Sequence, residues 1–189
     1  LIVALDCGIK SNDKVDYAKE RNIDFIICDH HLPGDKIPDA VAVLDPKRAD
    51  CNYPYKELCG CGIGFKLAQA ISQKRNLGIE TITPLLDLVA VAIAADIVPL
   101  TGENRVLANF GMQRINLNPR AGFKAMLQLE KFNKTISITD VVFILAPRIN
   151  AAGRIEHGKF AVELLTATDD VIAYAAAAGV NKNNLDRRS

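Results

Sequence analysis

The sequence predicts an α/β fold: an open parallel sheet flanked by helices, followed by a mostly helical C-terminal part. Three observations carry this. Leu1–Leu5 and Phe25–Cys28 are continuously apolar rather than alternating, the pattern of strands covered on both faces of a parallel sheet. A helix-like stretch separates them, and strands that alternate with helices imply parallel order. From Gly62 onward the strand signals give way to helical ones.

Taken in order, Leu1–Asp6 reads as a buried strand, Asn12–Asn22 as a helix with Asp13 near its start, and Ile23–Cys28 as the next strand. Val41–Leu44 is a third short strand ending in Asp45-Pro46, and residues 45–60 are loop-like. Phe65, Leu67, Ala68 and Ile71 lie on a helix that ends near Asn76-Leu77-Gly78. Thr83-Pro84 opens the next, with proline at a first-turn position it tolerates. Leu85–Ala95 is apolar nearly all round, which predicts a buried helix. Further helices are expected at Glu103–Asn116, Ala121–Leu129, Thr139–Ala151, Lys159–Thr166 and Asp169–Leu185, with Asn118-Pro119 and Ala146-Pro147 as punctuation.

The 189 residues suit one domain or slightly more, and 49% hydrophobic with 24% charged residues is ordinary for a soluble protein. The longest apolar run, Leu85–Leu100, is broken by Asp87 and Asp96 and falls short of a membrane span. Five cysteines without paired spacing argue against a disulfide scaffold and suit a reducing cytoplasm. Cys51, Cys59 and Cys61 lack the two-residue knuckle of structural zinc sites, so they read as small packed side chains. Charge is unevenly spread. Residues 1–100 carry 11 Lys/Arg and 14 Asp/Glu, whereas residues 101–160 carry 9 and 4. An acidic half followed by a basic stretch suits metal ions on one and a polyanion on the other; unrelated solvated faces are the plain alternative.

The stretch FIICDHHLP, residues 25–33, is the most informative. A strand that runs into Asp29, His30 and His31 delivers a carboxylate and two imidazoles where open α/β sheets keep their chemistry, outside the carboxyl ends of the strands. Leu1–Leu5 ends the same way in Asp6, and Asp96 follows the apolar helix, where an unpaired carboxylate would be costly to desolvate. Simple turn capping is the competing reading of such a triplet. Carboxylates with neutral imidazoles suit Mn²⁺ or Mg²⁺, and two such ions can clamp both oxygens of a phosphoester displacement. The run Gly60-Cys61-Gly62-Ile63-Gly64 has neither the spacing of a dinucleotide fingerprint nor the Lys-Ser/Thr ending of a phosphate loop, so it reads as a glycine-eased helix start close to the sheet.

The segments LDCG, ICDHH and AADIVPL together resemble the DHH phosphoesterase superfamily. GCGIGFKLAQAI, VPLTGENRVL and APRINAAGRIEHG are further similar to the RecJ family of single-stranded-DNA exonucleases, and the resemblance runs from Leu1 to about Thr168. It implies that Asp6 is a carboxylate bridging two metals, that His30 and Asp96 are further metal ligands, that His31 lies beside the substrate phosphate as a donor, and that Asp29 orients an imidazole. It implies Arg148, Asn150 and Arg154 near the DNA path, where guanidinium forks grip phosphate. An internal ion pair is the alternative for Arg154, and Glu103, Asn104 and Arg105 read equally as helix capping.

The family carries an Asp-x-Asp motif on a strand before Leu1 and a smaller nucleic-acid-binding domain after the long helix that starts at Asp169. The expectation is therefore a DHH phosphoesterase domain over 1–168 without its first strand, an interdomain helix over 169–189, and weak or no catalysis from these residues alone. For the parent protein the resemblance implies 5′-to-3′ exonuclease activity on single-stranded DNA in repair and recombination. It also implies a cytoplasmic monomer that works with a single-strand-binding protein and a helicase, with no membrane. Two rivals stand: a related phosphodiesterase acting on short oligonucleotides, cyclic dinucleotides or pyrophosphate, and a non-catalytic single-strand-binding scaffold.

Overall fold

The computed structural model describes the backbone of residues 1–155 and 158–188 and the side chains of residues 1–150 and 158–180. It separates into two compact units, Leu1–Ala108 and Asn109–Ser189. The first holds β1 (Ile2–Leu5), α1 (Asn12–Lys19), β2 (Phe25–Cys28), β3 (Ala42–Leu44), α2 (Gly60–Lys74), α3 (Leu86–Asp96) and the start of α4 (Gly102–Leu117). The sheet is parallel in the order β1-β2-β3, with Leu5 opposite Cys28 and Cys28 opposite Leu44. The α/β architecture with a parallel sheet flanked by helices is the one the sequence predicts.

The central strand carries the buried side chains. Ile27 and Cys28 are fully buried, and withdrawing an isoleucine from water contributes about 2 kcal/mol. The same expectation does not hold for β1. Ile2, Val3 and Leu5 are 42%, 44% and 51% exposed, because β1 lies at the edge of the described sheet and has β2 on one side only. Helix α3 is buried nearly all round, through Val89, Ala90, Val91, Ile93 and Ala94. Helix α2 begins two residues before the expected Gly62. Cys59 caps it, its Sγ accepting from the Gly62 N–H at 3.2 Å, a role cysteine seldom signals in a sequence.

The Glu103-Asn104 pair at the start of α4 ties the loop 45–60 to the rest of this unit. Asn104 is fully buried and donates to the carbonyls of Glu57 at 2.6 Å and Pro99 at 3.1 Å. Glu103 accepts from the Tyr53 hydroxyl at 2.6 Å and from Lys66 at 2.8 Å.

The second unit contains the end of α4, α5 (Ala121–Leu129), a short turn α6 (Ile138–Asp140), α7 (Ala146–Ile155), α8 (Lys159–Thr166) and α9 (Asp170–Arg188). Its core includes Phe123, Met126, Val141, Leu145, Leu164, Ala173 and Val180. Ser137 and Asp140 form a reciprocal capping box that starts α6. The helix expected over Thr139–Ala151 runs on through the Ala146-Pro147 step. Val141–Leu145 forms a π-helical turn, with the Ala146 N–H reaching the Val141 carbonyl, and the helix resumes beyond it. Proline has no N–H to give, so a widened turn absorbs the missing bond without breaking the segment. Helix α9, where an outgoing interdomain helix was expected, packs on α5, α7 and α8. No helix among the described residues is long and apolar enough to cross a membrane.

Replacing Asn104 by alanine strips the side-chain donor from two carbonyls, and stability should fall by about 2 kcal/mol. Urea unfolding with an unchanged midpoint would contradict that role.

Candidate metal centre

Parallel register brings one aspartate to the end of each strand. Asp6 follows Leu5, Asp29 follows Cys28, and Asp45 follows Leu44, and these three preceding residues lie side by side in the sheet. The ladder continues one step past the strands: the Asp6 N–H donates to the Cys28 carbonyl at 2.8 Å, and the Asp29 N–H to the Leu44 carbonyl at 3.0 Å.

Asp6 has φ +64°, a left-handed conformation that aspartate tolerates better than most residues. Gly60 lies directly against its carboxyl group, so any Cβ there would collide with Asp6. The glycine-eased helix start read from the sequence therefore has a definite reason: it lets the N-terminus of α2 close on this carboxylate. That end of a helix carries partial positive charge, which favours an anion.

His30 is mostly buried, at 13% side-chain exposure, and its Nε2 stands 3.2 Å from Asp6 Oδ1. Two donors each about 2.1 Å from a cation, at right angles, stand about 3 Å apart, so the pair has the spacing of adjacent ligands. His31 packs against His30 edge to face, with ring centroids 4.6 Å apart. One ligand atom each from Asp6, His30 and His31 can be chosen within 4.8 Å of one another. Asp96, at the C-terminal end of α3, is exposed and falls outside that triplet. Burial of its carboxyl and the negative charge of Asp6 nevertheless push its pKa up, while His30 and His31 pull it down. The residue after it, Ile97, is held at φ +54°, costly for a β-branched side chain.

Asp29 is the scaffold of this edge. It is 1% exposed; its Oδ2 accepts from the Ile9 N–H at 2.9 Å, and its Oδ1 from the His30 N–H at 2.8 Å and the His31 N–H at 3.3 Å. Oδ1 also lies 2.7 Å from His31 Nδ1. The imidazole that Asp29 orients is thus that of His31, and this pairing turns Nε2 of His31 away from the carboxylate. Burial raises the Asp29 pKa, but the bonds from Ile9, His31 and His30 outweigh it and leave the carboxyl below its ordinary value.

The sequence reading gave no role to Asp45. It is 2% exposed, its Oδ1 accepts from the Lys47 N–H at 2.8 Å, and its Oδ2 has no hydrogen-bond partner. Nδ1 of His30 is likewise buried without one. The signal was present, since the third strand ends in aspartate as the other two do. Burial pushes the Cys59 thiol up to about 12, with Asp96 and Asp6 among the charges that add to the rise, as suits a small packed side chain.

The residues expected near DNA sit in the second unit. Arg148 is 6% exposed rather than presented to solvent; it pairs with Glu130 and donates to the Ile144 carbonyl at 2.5 Å. An ion pair of the kind weighed for Arg154 is thus formed by Arg148. Asn150 is exposed on α7. The side chains of Arg154, Glu156 and His157 lie outside the described residues.

A carboxylate and paired imidazoles at the carboxyl edge of a parallel sheet are the donor types that suit a divalent cation. Residues 1–93 match the DHH family, N-terminal domain. It is homologous over its whole length to part of the single-stranded-DNA-specific exonuclease RecJ of Bacillus subtilis, at 42% identity, spanning 23% of that protein. RecJ of Escherichia coli is 41% identical over 87% of the chain, which covers 30% of it. Among solved structures, RecJ of Thermus thermophilus in complex with Mn²⁺ superposes with a TM-score of 0.87 at 29% identity, over 98% of this chain and 28% of that one. The same protein with Mg²⁺ gives 0.76 at 27%, over 98% and 26%. The chain thus spans about a quarter to a third of these relatives.

Two outcomes follow from the geometry. Gly60→Ala should displace the Asp6 carboxyl and weaken Mn²⁺ binding about tenfold or more, read by titration calorimetry; an unchanged affinity would separate Gly60 from the site. The Asp29 pKa is lower folded than unfolded, so the stability it contributes is fully present above the ordinary carboxylate value of 3.8 and is lost as pH falls through its native value. Asp29→Asn should therefore flatten the acid side of the stability curve and cost about 2 kcal/mol at neutral pH. An acid limb identical to that of the unmodified protein would show that Asp29 does not supply it.

Proposed function

We propose that this chain is the metal-dependent catalytic segment of an exonuclease that hydrolyses phosphodiester bonds of single-stranded DNA from a 5′ end, with Asp6, His30 and Asp96 holding Mn²⁺ or Mg²⁺. The observation that carries the reading is the 3.2 Å approach of His30 Nε2 to Asp6 Oδ1 at the sheet edge, with Asp96 coupled to the same charge. The homology to RecJ supplies the reaction and the substrate.

The residues present fit such ions: oxygen and imidazole donors converge, and like charges on Asp6 and Asp96 leave a negative centre that a cation would neutralise. Bound there, the metal would lower the pKa of an attacking water and offset charge on the departing oxygen. In this reading Asp6 and His30 hold the cation from two adjacent strands, and Asp96 would reach it from the end of α3. His31, held at Nδ1 by Asp29, keeps Nε2 directed outward; when protonated it donates from that nitrogen to a phosphate oxygen. Asp29 keeps both histidine backbones in place. Residues 101–160, with 9 Lys/Arg against 4 Asp/Glu, are the proposed partner of the DNA backbone, through Asn150 and Arg154. Arg148, spent on Glu130, supports α7 instead.

The reading extends to repair and recombination in the cytoplasm, as a monomer working with a single-strand-binding protein and a helicase. Of the rivals, the binding scaffold is disfavoured by the intact carboxylate–imidazole cluster, and the short-substrate phosphodiesterase by the similarity to RecJ along the whole chain.

In the intact protein, His30→Ala and Asp96→Ala should each lower cleavage of a 5′-phosphorylated single strand by a factor of at least 10³. Activity within tenfold of the parent in either variant removes that residue from the site. Preference for a dinucleotide over the long strand would replace the exonuclease reading with the short-substrate one.

A further inference from the structure

We propose that Asp45 is the positioning residue for His30: its carboxylate accepts a hydrogen bond from the His30 Nδ1–H and so holds the Nε2 lone pair toward a divalent cation. This deepens the metal-site reading and rests on it.

A histidine that ligates through Nε2 carries its proton on Nδ1, and that N–H needs an acceptor when buried. In this structure His30 Nδ1 is buried and unpartnered. Asp29 is the nearest carboxylate in sequence, but its oxygens are already engaged, by the Ile9 N–H on one side and by His30 N–H, His31 N–H and His31 Nδ1 on the other. The acceptor must come from elsewhere.

Asp45 supplies it. The register places Asp45 beside Asp29, hence one residue from His30, at the end of the neighbouring strand. It is 2% exposed, and its Asx turn to Lys47 uses only Oδ1. Oδ2 is a buried acceptor without a donor. Each orphaned atom costs about 1–3 kcal/mol, and a hydrogen bond between the two would remove both costs at once. Both are among the few unsatisfied buried side-chain atoms of the described residues. The division of labour is then one buried carboxylate per imidazole: Asp29 for His31, Asp45 for His30.

The test is a double-mutant cycle on the intact protein, read as Mn²⁺ affinity. Asp45→Leu should weaken Mn²⁺ about tenfold or more, with cleavage recovering as Mn²⁺ is raised. In the His30→Ala background the same change should cost nothing further. An unchanged affinity, or an equal loss in both backgrounds, overturns the proposal, since a merely structural aspartate would act without regard to His30. A second measurement needs no variant. In Mg²⁺-loaded protein with ¹⁵N-labelled histidine, His30 should carry its proton on Nδ1, protected from solvent exchange; a proton on Nε2, or one on Nδ1 that exchanges freely, overturns it. If the unmodified protein shows no saturable Mn²⁺ site, the metal reading itself falls and the role of Asp45 with it, an outcome distinct from binding that ignores Asp45.

Discussion

Because β1, β2 and β3 run parallel and in register, the residue after each strand reaches the same edge of the sheet at the same level. Antiparallel order would have sent every second strand end to the opposite side. With aspartate in all three places, the edge becomes a row of carboxylates 6, 29 and 45, and the two histidines after Asp29 enter that row from the best-buried strand. The loop geometry follows. Asp29 satisfies backbone donors on both sides of itself, at Ile9 and at His30–His31, so the turns after β1 and β2 are fixed by one side chain.

Concentrating negative charge has a cost that the fold absorbs locally. Asp96 sits at a helix C-terminus, where the backbone already presents partial negative charge, and the charge of Asp6 raises its pKa further. Two non-glycine residues at the cluster adopt left-handed backbone, Asp6 and Ile97. Partial compensation comes from the N-terminus of α2, brought against Asp6 because Gly60 has no side chain. Repulsion from Asp6 adds to the larger effect of burial in raising the Asp96 pKa. A divalent ion would convert that repulsion into attraction, which is why the electrostatics and the donor geometry point the same way.

Much of this was legible in the sequence, for reasons that can be stated residue by residue. Continuous apolar runs gave the strands, since β2 is buried, and their polar ends gave Asp6, Asp29 and His30. The all-round apolar run gave α3. What periodicity could not give was context. The half-exposure of β1 depends on which strand lies at the edge, a property of topology rather than of the run Leu1–Leu5. Asp45 was visible as the end of a strand, but its burial was not. Arg148 has the chemistry of a phosphate ligand; only packing shows that Glu130 claims it. The π turn before Pro147 likewise reflects a choice between breaking and widening a helix that local sequence leaves open.

Arg148 and Asp29 illustrate one rule from opposite charges. A charged group taken out of water needs its hydrogen-bonding capacity filled, and once filled it is no longer available to a ligand. Asp29 has its four partners and serves as scaffold; Arg148 has Glu130 and the Ile144 carbonyl and holds α7. Asp6, half-exposed, has His30 as its one polar side-chain partner among the described residues. The same side chain thus becomes support or ligand according to how much of it the backbone consumes. By that measure Asp6 is equipped to bind and Asp29 to support, and Asp45 stands between them with one oxygen spent and one still to be satisfied.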